Sequence, residues 1–233
     1  MGTDRAARRL LRILAVALLP LLPACPSFTT MGPARTVPRG EAQSFVSGGA
    51  YRTTLISGEP PFETREETWL PLFEAGARLG LADRVDLELR AGTGGAAIGP
   101  RFQLARSPTD DAGVDLLVAT ELGFSGVALG DAGVVSGFTA GLALALGVNL
   151  GGGSQVVLGP RAAFMNDELV GRSTFLGGSL ALVLALGGRT GRRWYLVPEC
   201  AVAAVEGGTS ASFDGPVVQC ALGLVGPGGL LLF

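Results

Sequence analysis

Histidine and lysine are both absent from the 233 residues, and all 18 basic residues are arginine. Without histidine no Ser-His or Cys-His pair can be built. Without lysine there is no Ser-Lys dyad, Schiff base or phosphate-loop lysine. Charge is scarce too, at 16% of residues against about 25% in ordinary soluble domains. Three cysteines and 6% aromatics complete the list of what is rare. Hydrophobic residues reach 48%, too many for a disordered chain. The 37 glycines lie among Ala, Leu and Val rather than in a linker, which suits close packing in a sheet wall.

The apolar residues recur with a period of two. In Val85 to Ala91, Val85, Leu87, Leu89 and Ala91 alternate with Asp86, Glu88 and Arg90, so the segment reads as a strand. Similar alternation predicts ten strands, at about 42–52, 68–82, 85–91, 96–106, 114–124, 136–150, 155–165, 174–186, 193–205 and from 217 onward. A continuous apolar face with a sparse polar one points to an all-β, antiparallel, up-and-down transmembrane β-barrel of about ten strands, with eight to twelve as the range. Polytopic helices are a poor fit, because the two most apolar runs, 138–150 and 174–186, are each about 13 residues where a span needs about 20.

Met1 to Ala24 has a basic start, an apolar run and a small residue before Cys25, the pattern of a secretory signal peptide. Leu21 to Cys25, L-L-P-A-C, resembles a bacterial lipobox, which implies lipidation of Cys25; ordinary cleavage nearby is the alternative. Removing this leader leaves 14 basic and 19 acidic residues, a formal charge of −5, which makes nucleic acid a poor partner. The domain reading is therefore 1–24 leader, 25–41 tether or arm, and 42–233 barrel. Pro26 to Glu41 reads as a segment without periodicity, either a periplasmic tether or an arm able to enter the barrel. Phe28 to Gly40, F-T-T-M-G-P-A-R-T-V-P-R-G, resembles the start of small barrel-type lipoproteins of Gram-negative bacteria, and the terminal Phe233 resembles the last residue of outer-membrane barrels. Both imply the outer membrane as the location.

Glu74, Arg78, Asp86, Glu88, Arg90, Arg101, Asp115, Glu121, Arg161 and Glu199 fall on the predicted inward parity. Mixed signs in so narrow a lumen favour structural ion pairs over a polar pore or small-solute site. Acidic pairs such as Asp86 and Glu88 share a face, but adjacent arginines hold them ionised, so no catalysis and no cofactor is expected. Strands six and eight turn Gly, Ala and Ser inward, leaving room on one side for water, a polar solute or the 26–41 arm. Cys200 and Cys220 are symmetric about residue 210 on neighbouring strands, which suits a cross-strand disulfide or two lipid-facing thiols. The leading reading is a structural or narrow-pore barrel lipoprotein, porin-like in build, with membrane lipid and the acyl group on Cys25 as its partners. The alternative is a soluble, lipid-anchored, lipocalin-like barrel binding an apolar ligand.

Overall fold

The computed structural model describes residues 27–57, 64–93, 95–109, 111–128, 134–167, 171–187, 193–207 and 215–228. The leader Met1 to Ala24, Cys25 and Phe233 lie outside them. Alternation along the chain becomes ten strands: β1 (Ala42–Ser57), β2 (Thr64–Ala82), β3 (Val85–Gly92), β4 (Gly95–Ala105), β5 (Val114–Ala128), β6 (Val134–Gly151), β7 (Ser154–Asp167), β8 (Gly171–Ala185), β9 (Tyr195–Gly207) and β10 (Val217–Pro227). Each pairs antiparallel with its sequence neighbours, and β1 pairs with β10 to close the barrel. Closure leaves no edge strand with unpaired backbone groups.

Several strands run further than the side-chain pattern alone suggests, for example at Thr53 to Ser57, which pairs with Thr64 to Thr68. Ladder hydrogen bonds need only backbone, so pairing continues past the point where apolar side chains stop. We call the end where β1 begins and β10 finishes the near rim. The turns at 83–84 and 152–153 are there, while the connections at 58–63, 129–133, 168–170 and 208–216 are at the far rim.

The outward face is apolar. Trp69, Phe73, Leu122, Phe124, Leu142, Leu144, Leu176, Leu180 and Leu222 all stand exposed on it. Along β2 the exposed apolar residues run from Trp69 to Leu81, about 30 Å of height for a strand tilted near 40°. Outward charges on the described strands, Arg52, Glu67, Arg172 and Glu206, are confined to the far-rim side, where Arg52 and Glu67 pair at 2.6 Å.

Inside, the lumen departs from the expected lining of charges and small residues. Val157, Met165, Phe175, Val183, Val197 and Val225 are buried there on the parity opposite the exposed leucines, together with Phe45 and Tyr51 of β1. Parity separates the two faces of a strand, but cannot tell which apolar residues a filled lumen needs. What they pack against is the segment ahead of β1. Phe28, Met31 and Ala34 belong to the same buried cluster, and Val37 is buried near the rim. Phe28 lies 5.4 Å from Phe175 between ring centroids. Residues 27–37 thus run through the barrel as an arm rather than lying outside it as a tether, and the buried Phe28, Met31, Ala34 and Val37 recur there at every third position.

The small inward residues make room for this thread. A Cβ at Gly147 would stand 2.8 Å from the Ala34 Cβ, and one at Gly159 would be 3.2 Å from the Thr30 Cγ2. Gly147→Val should therefore unseat the segment and lower stability by about 1–3 kcal/mol. Urea titration with proteolysis at residues 27–41 checks this; unchanged stability and protection would contradict it. On the outward face Cys200 is directly opposite Cys220 and joined to it in a disulfide. Intact-mass measurement without reductant should show the chain two hydrogens lighter than after reduction.

Candidate functional site

The site is the lumen itself, built from alternate residues of the strands. Its ionisable groups form linked pairs. Glu88 accepts from Arg78 at 2.6 Å and Arg101 at 3.1 Å, and Arg101 also reaches Asp86 at 3.2 Å. Higher in the barrel Glu121 pairs with Arg161 at 2.5 Å and with Arg90. The pairing follows from register: Arg78 is opposite Glu88 across β2 and β3, and Asp86 is opposite Arg101 across β3 and β4. Arg78 also lies over the Phe45 ring, 4.9 Å from its centre, which covers a cation excluded from water.

The remaining polar groups hold the threaded segment by its backbone. Gln219 Oε1 accepts the Phe28 N–H at 2.7 Å. Glu199 accepts those of Thr30 and Met31 at 2.7 and 2.9 Å, and the Thr30 hydroxyl at 3.0 Å. Further along, Gln155 accepts from Ala34, Gln103 from Thr36 and Asp86 from Val37, at 2.8 to 3.0 Å. Carbonyls are met in turn by guanidinium groups. Arg90 and Arg161 donate to Thr29 O, Arg78 to Thr30 O and Met31 O, and Arg101 to Arg35 O. Met31 adopts a positive φ of 41°, which costs an L residue about 1–2 kcal/mol. Its N–H and carbonyl are fixed by Glu199 and Arg78, so the wall holds that kink in place.

All ten inward positions read from the alternation face the lumen, but three serve differently from wall ion pairs. Asp115 binds Arg35 of the segment at 2.6 Å, Glu74 accepts the Thr29 hydroxyl at 3.0 Å, and Glu199 receives backbone N–H groups. Asp115 also accepts from Gln155 and Asn149. The amides Gln103 and Gln155 lie on the same inward parity as Arg101 and Arg161 of their strands, and Gln219 lines the lumen from β10; a list restricted to charged residues leaves all three out.

Beside the thread the mid-barrel void is about 40 Å³, room for two or three waters at about 15 Å³ each. At the near rim a wider vestibule of about 320 Å³ opens between Arg35, Glu41, Arg106 and Arg193. The chemistry on offer is thus recognition of a peptide backbone in a nearly filled tube.

No protein-family model matches the chain, and no curated protein matches it in sequence. Solved structures similar at low identity include two small proteins. Neisserial surface protein A shares 11% identity over 78% of this chain and 96% of its own, with a TM-score of 0.29. Ail, the attachment invasion locus protein of Yersinia pestis, shares 8% over 80% of this chain and 98% of its own, with a TM-score of 0.22.

Glu199→Ala removes the acceptor of two buried N–H groups and should destabilise seating of the segment by about 2–4 kcal/mol, while Glu199→Gln should retain much of it. Limited proteolysis of residues 27–41 across a urea series distinguishes the two variants. Equal protection in both would mean Glu199 does not hold the segment.

Proposed function

We propose that this chain is a Gram-negative outer-membrane β-barrel lipoprotein, anchored also through an acyl group on Cys25, whose lumen is sealed by its own residues 27–37. It acts as a structural component and is not an open pore in this state. The observation that carries this reading is the inversion of the two faces: leucine and aromatic side chains stand outside, while ion pairs and a peptide fill the inside. A soluble lipocalin-like barrel would place charge where Leu122, Leu142, Leu176 and Leu222 are exposed, and an exterior of that kind in water would aggregate. The outward apolar height of about 30 Å is close to the ~25 Å band of such barrels. No catalytic role is assigned, because the paired carboxylates Asp86 and Glu88 both contact Arg101.

In planar bilayers the intact protein should give no steady channels. The double variant Asp86→Ala, Glu199→Ala, which frees the N–H groups of Thr30, Met31 and Val37, should give stepwise openings. Steady conductance of the intact protein would overturn the seal. Extraction from membranes by urea without detergent would overturn the membrane assignment.

A further inference from the structure

The two ends of the threaded segment point toward opposite mouths of the barrel. At the near rim Gly40 donates to Gly80 O at 2.9 Å and Val37 donates to Asp86, the second residue of β3. Thr30 and Met31 then reach Glu199, the fifth residue of β9. Thr29 contacts Arg90 and Glu74, and Glu74 pairs across the ladder with Gly92, the far-rim end of β3. Phe28 meets Gln219, only two residues from the far-rim start of β10. Ser27 lines a small space with Gly95 and Ala96, the first residues of β4. Ten residue steps from Ser27 to Val37 reach at most about 36 Å, enough to cross the ~25 Å band.

We infer that the polypeptide passes through its own barrel before building it, so that the chain ahead of Ser27 leaves by the far mouth. That is the side of the 58–63, 129–133 and 208–216 connections, opposite the near rim where β1 begins and β10 finishes. The thread adds a central eleventh pass to the ten strands of the wall. Cys25 is two residues ahead of Ser27, within about 7 Å along the chain. An acyl group on Cys25 therefore enters the leaflet at the far rim, not the leaflet beside the 83–84 and 152–153 turns. The inference rests on the membrane-spanning reading above.

The test places single cysteines at Pro26, at Ser210 in the far connection and at Gly152 in the near turn of the full chain, each labelled in intact cells with a membrane-impermeant maleimide. Labelled residues are located by peptide mass, which separates them from Cys25, Cys200 and Cys220. Pro26→Cys should label together with Ser210→Cys, and Gly152→Cys only after the cells are opened. Labelling of Pro26→Cys with Gly152→Cys would overturn the inference while leaving the barrel in the membrane. If Ser210→Cys and Gly152→Cys do not differ, the membrane reading fails instead. An epitope inserted between Pro26 and Ser27, followed by antibody binding to intact cells, gives an independent measure. Heat-modifiable migration confirms that each variant is folded, and absence of surface binding by a folded epitope variant counts against the inference.

Discussion

Everything in this barrel depends on one requirement: a peptide backbone withdrawn from water must have its N–H and C=O groups bonded. A strand in the wall meets that requirement through its neighbours. Residues 28–37 have no neighbouring strand, so the wall answers with side chains. Carboxylate and amide oxygens of Gln219, Glu199, Gln155, Gln103 and Asp86 accept six backbone N–H groups. Arginines 78, 90, 101 and 161 donate to the carbonyls. Left unmade, each such bond would cost about 1–3 kcal/mol, which makes a peptide plug without this lining untenable.

The same requirement accounts for the charge balance of the lumen. Among the described residues the strands turn six carboxylates inward, Glu74, Asp86, Glu88, Asp115, Glu121 and Glu199, against four guanidinium groups. Pairing within the wall alone would strand carboxylates in a dry interior, an arrangement proteins avoid. The surplus is taken up by the thread: Arg35 engages Asp115, Thr29 donates to Glu74, and two amides donate to Glu199. Small residues fit the same account, because Gly147 and Gly159 leave the space that Ala34 and Thr30 occupy. Wall and thread are thus complementary in charge, hydrogen bonding and volume.

The strands were legible in the sequence because a charged residue fixes which parity faces the lumen. Asp86, Glu88 and Arg90 do so for β3, and Asp115 and Glu121 for β5. The linked ion pairs follow once hairpin register is assigned. Phe175 and Val183 were harder, since β8 is apolar on both parities and alternation alone cannot say that a bulky side chain lies inside. The thread was harder still. Its spacing of Phe28, Met31, Ala34 and Val37 is a period of three, which searches for helix and strand periods pass over. Its partners are scattered from Glu74 to Gln219, so no local pattern encodes them.

That scatter has a consequence for how the fold forms. The thread bonds to β2, β3, β4, β5, β7, β9 and β10, yet it is continuous with β1 through the Gly40 to Ala42 turn. No pair of adjacent strands can hold it, because its contacts move around the wall, from β10 at Phe28 through β9 and β2 at Met31 to β4 at Thr36 and β3 at Val37. Seating is possible only when most of the ladder stands, and the pairing of first strand with last closes the tube around it. The loop entropy of joining β1 to β10 is offset by two sets of contacts that become available together: the ladder from Gln43↔Pro227 to Arg52↔Val218, and the bonds to the thread. Closure and sealing are therefore thermodynamically coupled, and a change that weakens either weakens both.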